Sequence, residues 1–152
     1  MQITAFSDYA LRVLTYLAVT GDRLVPTREI AERQGLSFDH LAKVTQFLSR
    51  EGYVEASRGR NGGVRLAIPP AEISIGEVLR RSEAGSGVVE CLQDGEVSCM
   101  LAGFCGLTPL LAGATEAFFA ALDKRSIADA LTSPARHRKT FGLNARGEVA
   151  GK

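Results

Sequence analysis

The residues best equipped for chemistry are the chain's three cysteines, Cys91, Cys99 and Cys105. Seven residues separate the first two and five the last two. Structural zinc wants close Cys-x-x-Cys pairs and a fourth ligand, and neither is here. A disulfide framework wants an even number of cysteines spread along the chain. Three thiolates in a glycine-containing loop can instead hold three irons of a cubane cluster, leaving one iron for a different ligand. Incidental cysteines, or thiols that report redox state through a disulfide, are the other readings of this spacing. His40 and His137 are remote in sequence, and no His/Asp arrangement stands beside a cysteine. A cysteine enzyme is therefore not expected.

The second set of chemical residues suits nucleic acid. Ser37 to Arg50 has inward-spaced Leu41, Val44, Phe47 and Leu48, while His40, Lys43, Gln46 and Arg50 point the other way. A helix that enters a major groove needs such a polar face and an apolar face to seat it. Arg58, Arg60 and Asn61 lie in a glycine-rich stretch, Arg58-Gly59-Arg60-Asn61-Gly62-Gly63, whose Asn-Gly is a hairpin-turn signal. There the backbone can approach phosphate. Thr27 and Ser37, at the heads of two helices, complete the candidate DNA contacts. The competing reading is a small helical domain with solvated hairpin arginines.

The elements that must position these residues follow from periodicity. Leu11, Leu14, Leu17 and Ala18 give the first segment, Ser7 to Val19, one buried helical stripe, with Ser7 or Asp8 at the N-cap. A short helix follows Pro26-Thr27 and stops at Gly35; Ser37 caps the third. The period then changes to two, giving short strands at residues 53–57 and 64–68. Three helices and a basic-tipped hairpin are the order of a winged helix-turn-helix over residues 1–70. Residues 71–107 form a connecting helix, opened by the capping pattern Ser74-Ile75-Gly76-Glu77, and the cysteine loop. Residues 108–132 carry a long apolar helix with Pro109 near its start and a short one from Ser126. Residues 133–152 read as a basic, loosely held tail. The expected class is mainly α with a small β-hairpin, a winged helix-turn-helix plus a long C-terminal dimerisation helix.

Composition fits that reading. The chain of 152 residues is 45% hydrophobic and 23% charged, ordinary for a globular domain. No apolar run reaches membrane-spanning length and the start lacks a basic patch before an apolar stretch, so a cytoplasmic protein with no membrane partner is expected. The net charge of +1 conceals a distribution: +2 over residues 1–70, −4 over residues 71–107, and five basic groups against one acidic from Pro134 onward. The helix after Pro109 is apolar almost all round, with Leu110, Leu111, Ala114, Ala117, Phe118, Ala121 and Leu122. It is either core within one chain or the seam of a homodimer that spaces two reading heads about one DNA turn apart.

Several of these stretches resemble a bacterial family of winged-helix iron–sulfur transcription regulators, the NsrR/IscR/RirA-like family. They are Phe6-Ser7-Asp8-Tyr9-Ala10-Leu11-Arg12, His40-Leu41-Ala42-Lys43-Val44, Arg58 to Leu66, Ile73 to Val78 and the three-cysteine loop. The likeness runs over about residues 1–132. The Ser-Asp-Tyr-Ala-Leu-Arg start and the wider first cysteine gap look most like its nitric-oxide-sensing branch. The resemblance implies a homodimer that binds a palindromic operator, represses transcription, and carries an iron–sulfur cluster in each subunit, 4Fe-4S with 2Fe-2S as the alternative. Cys91, Cys99 and Cys105 match the family's ligands, Asp8 matches a fourth ligand donated to the partner subunit's cluster, and Arg12 matches a cluster-proximal position. A carboxylate is a poorer partner for such a cluster than thiolate, so the resemblance implies that nitric oxide attacks there.

Three other functions compete with this one. An iron- or cluster-status sensor of the same family has the same motifs; Asp8 is the reason for placing nitric oxide first. An electron-transfer iron–sulfur protein has no use for a glycine-arginine wing. A protein-interaction adaptor with idle cysteines would lack the steep salt dependence of phosphate contacts.

Overall fold

The apolar stripe that opens the chain makes a helix two residues earlier than its spacing predicts. In the computed structural model, which describes residues 2–59 and 62–150, helix α1 spans Ala5–Leu17 and Thr4 caps it by accepting from the Ser7 amide at 3.2 Å. Neither Ser7 nor Asp8 is the cap. Ser7 is fully buried, and its hydroxyl lies 2.7 Å from that of Ser82, a partner no local pattern could announce.

Helices α2 (Thr27–Gln34) and α3 (Phe38–Arg50) follow as expected, and Leu41, Val44, Phe47 and Leu48 are all buried. Strands β1 (Val54–Ser57) and β2 (Gly63–Leu66) pair antiparallel, with Val54 opposite Leu66 and Glu55 opposite Arg65. Val25 adds a bridge to Val64 through two 2.9 Å backbone bonds, so the loop before α2 is stitched to the root of the hairpin. The core runs through Val13, Leu14, Leu17, Ile30, Leu41 and Leu48 and takes in Ile73, Val78 and Ile127 from farther along. This is a winged helix-turn-helix within a mainly α fold.

After a 3-10 turn at Pro70–Glu72, α4 (Ile75–Ser82) begins at Ser74, whose hydroxyl accepts from the Glu77 amide at 3.2 Å. A second 3-10 turn, Glu90–Leu92, interrupts the loop that leads to α5 (Leu107–Asp123). A Cβ at Gly76 would meet the Phe119 carbonyl oxygen at 2.7 Å and the Asp123 backbone. Only glycine lets α4 and α5 come so close. A full capping box, Ser126 with Asp129, opens α6 (Ile127–Ala130).

The segment from residue 133 onward departs from the expectation of a loose tail. It forms α7 (Pro134–Thr140) and a turn closed by a bridge between Leu143 and Val149. Phe141 stacks 5.0 Å from the Tyr16 ring and Leu143 is buried. Arg23 donates to the Gly147 carbonyl at 3.0 and 3.2 Å. Gly147 has φ +76°, and a Cβ there would meet the Thr20 Cα at 2.6 Å. The segment has few apolar residues, but Phe141 packs on Tyr16 of α1 and Leu143 joins the core, contacts its own periodicity does not reveal. Among the described residues no helix is long and apolar enough to cross a membrane.

Candidate nucleic-acid interface and cysteine loop

An open groove of about 690 Å³ runs between the head of α2, the outward face of α3 and the hairpin. It gathers Thr27, Gln46 and Arg58 from the predicted contacts and Arg50 from the outward face that periodicity marked, and adds Arg28 and Thr45, which periodicity alone did not single out. Arg28 stands beside Thr27 in the first turn of α2, and its guanidinium lies 5.1 Å over the half-exposed Phe38 ring. Arg50 lies 5.7 Å over Phe47 and 3.2 Å from Glu51. Stacking holds these cations in place while leaving donors for phosphate.

Ser37 precedes α3 as its N-cap, yet its hydroxyl makes no capping bond. It is exposed at a helix N-terminus, where the backbone favours an anion. His40 leans toward α1, 6.3 Å from the Tyr9 ring. Lys43 lines a neighbouring depression with Phe6, Gln46, Arg50 and Arg81. These two therefore stand on the α1 side of α3, away from the hairpin groove. Arg60 and Asn61 lie outside the described residues. Arg65 is engaged by Glu55 across the strands at 2.8 Å. Among the described residues Arg28 and Arg58 form no salt bridge, which leaves their charge available to a phosphate.

A polar cluster ties α2 to α1 and the loop between them. Glu29 accepts from both Arg23 donors at 2.7 and 2.9 Å and from the Tyr16 hydroxyl at 2.8 Å. Burial works against its charge, but the hydrogen bonds from Arg23 and Tyr16 prevail and hold the carboxyl below the usual glutamate range. Burial and the Glu29 hydrogen bond push the Tyr16 hydroxyl up.

The cysteines stand in a different setting. Cys91 Sγ is 3.4 Å from the Thr108 hydroxyl. Cys105 sits two residues before α5, and hydrogen bonding from the Leu107 amide, and from Thr108, holds its thiol below the ordinary cysteine range although burial opposes this. Two sulfurs thus converge on the first turn of α5, whose positive end suits thiolate. Cys99 is exposed farther along the loop. Among the described residues no three His, Cys, Asp or Glu side chains come together as a metal site. All three thiols are free, and Asp8 pairs with Arg12 at 2.9 Å on a part-exposed face of α1. The donor set of soft sulfurs and an accessible carboxylate fits an iron–sulfur group.

The loop also exposes apolar surface. Met100 is 93% and Phe104 75% exposed, and the patch continues through Leu107 and Leu110 onto α5. No residue of α5 is buried.

Comparison with known proteins agrees with this arrangement. The Rrf2 family, described as "Iron-dependent Transcriptional regulator", matches residues 3–133. The HTH-type transcriptional regulator NsrR of Bacillus licheniformis is 40% identical over 140 residues, covering 91% of this chain and 98% of that one. The HTH-type transcriptional repressor NsrR of Streptomyces coelicolor is 42% identical over 136 residues, covering 88% and 90%. Among solved structures, T. potens IscR superposes with a TM-score of 0.67 at 25% identity, covering 91% of each chain. On the extent of these matches the chain belongs to the Rrf2 family and is a transcriptional regulator of the NsrR type.

Proposed function

We propose that this chain is a homodimeric, DNA-binding repressor whose affinity for a palindromic operator is set by an iron–sulfur cluster that senses nitric oxide. The observation that carries it is the convergence of Cys91 and Cys105 on the first turn of a helix that leaves Leu107, Leu110 and Phe118 exposed among the described residues. A second copy covers these side chains most economically, since both copies have the same surface to hide. Pairing through α5 would also set the spacing of two recognition helices along DNA.

Within each subunit α3 reads the major groove with Gln46, Lys43 standing at the α1-side edge of that face, and Thr27, Arg28, Ser37 and Arg58 hold phosphates beside it. His40, Arg60 and Asn61 belong to the same proposed contact set. Cys91, Cys99 and Cys105 would hold the cluster, 4Fe-4S or 2Fe-2S, with the fourth ligand from Asp8 of the partner subunit. When bound, the cluster supplies an oxygen-ligated iron that exchanges readily with nitric oxide. Arg12, one turn from Asp8 on the same face, balances the negative charge gathered there.

The family's iron-dependent description favours a second reading, in which cluster occupancy reports iron supply. Anaerobic reconstitution with ferrous iron and sulfide tests the site. The wild-type chain should develop visible absorption and run at twice its 16.2 kDa mass. Cys99→Ala should stay colourless; full colour would refute the cysteine assignment. Asp8→Ala should lose the response of DNA binding to nitric oxide, and an unchanged response would refute the bridging role.

A further inference from the structure

The two consecutive arginines of α4 reach in opposite directions. Arg80 turns to α5: its fork donates to both Glu116 oxygens at 2.6 Å and to Asp123 at 2.9 Å, and its plane lies 5.0 Å over Phe119. Arg81 turns to the recognition helix: it donates to Glu51, the C-cap of α3, at 2.9 Å and to Glu77 at 2.6 Å, 5.8 Å over the Tyr53 ring. The far end of α4 is joined to the start of α1. Ser82 meets Ser7 at 2.7 Å, and Glu83 accepts from the amide and hydroxyl of Thr4, each at 2.8 Å. Asp8 is one turn beyond that cap.

Neighbouring residues on a helix do not share a face, so this pair makes α4 a two-sided connection. Single exposed ion pairs contribute little. A guanidinium that grips carboxylates through several donors and stacks on a ring fixes orientation as well as distance. The close approach at Gly76 makes α4 and α5 shift together. Under Arg81, the Tyr53 hydroxyl is buried with no hydrogen-bond partner among the described residues.

We infer that α4 is the coupling element of the regulator, with Arg80 and Arg81 as positioning residues that pass the state of the cysteine loop and α5, and of the Asp8 end of α1, to the C-terminus of the recognition helix. The inference rests on the cluster-controlled reading. Both attachments that reading requires, the α5 side and the Asp8 side, meet on this one short helix. Neither arginine lines the hairpin groove, and Arg81 only borders the depression beside it, engaged with Glu51 and Glu77, so their effect is on communication between the cysteine loop and that groove.

The test compares the affinity of cluster-loaded and cluster-free dimers for a duplex that the loaded protein selects from a random-sequence pool. Arg81→Gln and Arg80→Gln should each shrink the loaded-to-free affinity ratio by about tenfold, while visible spectrum and dimer mass match wild type. Glu77→Gln removes only the intrahelical partner of Arg81 and should keep the ratio within about twofold. Where Arg81→Gln melts below the assay temperature, Arg81→Lys replaces it and should also lower the ratio. A large wild-type ratio that survives in the Arg80 and Arg81 variants overturns the coupling role alone. A wild-type ratio of one overturns both the coupling role and the regulatory reading beneath it.

Discussion

In the reading head every helix from α1 to α3 has a buried face, whereas in the arm that follows α5 has none. The two regions are not separated by hydrophobicity, since the arm carries Met100, Leu101, Phe104, Leu107 and Leu110 in the open. They differ in what a single chain can cover. The head has a core of its own through Leu14, Leu41 and Leu48, to which Ile73, Val78, Ile127 and Leu143 from farther along the chain are added. The arm has free thiols, and no residue of α5 is buried; the proposed function has a second copy and a cluster complete it. On the proposed function, stability rests mainly with the first region and regulation with the second.

The largest effect should come from setting a core residue of the head against an exposed one of the arm. Leu14→Ala deletes a fully buried side chain and should cost about 2–5 kcal/mol in denaturant unfolding. Leu110→Ser should leave monomer unfolding within about 0.5 kcal/mol and weaken dimerisation, read by light scattering over a dilution series. Equal losses of monomer stability would mean that the arm is part of the core.

Removing residues 134–152 sharpens the boundary of the head. It strips Phe141 from Tyr16, Leu143 from the core and the Gly147 carbonyl from Arg23. The melting temperature should fall by several degrees, about what a loss of 1–2 kcal/mol produces in a domain of this size. An unchanged melt would make the segment ornamental.

The smallest effect is the pH dependence of the head. Glu29 has a folded pKa below its unfolded value. Its contribution is therefore fully present above the ordinary glutamate range, and is lost as pH falls through the depressed folded value. Glu29→Gln should flatten the decline in melting temperature below about pH 4.5. A parallel decline in both proteins would assign the acid sensitivity to other carboxylates.

Local signals made the head legible. Helical spacing named the buried residues of α3, and the change to period two, with Asn61-Gly62, named the hairpin. Ser74 and Ser126 cap their helices as their patterns indicate. What escaped was set by distant partners. Ser7 is held by Ser82 rather than exposed at a cap, and the last segment folds because Tyr16, Thr20 and Arg23 receive it. Arg28 was within reach, since it follows the already suspected Thr27. The cysteines were visible as a set, but a count and a spacing cannot bring sulfurs together, and the single chain brings only Cys91 and Cys105 to Thr108.

The division between a head with a core of its own and an arm that governs it is tested most directly by titrating nitric oxide into anaerobic, cluster-loaded dimer while visible absorption and occupancy of the selected duplex are recorded together. The account predicts that both signals fall over the same range of added nitric oxide and that the end state binds the duplex no better than cluster-free protein. Loss of the absorption with operator affinity unchanged would contradict it.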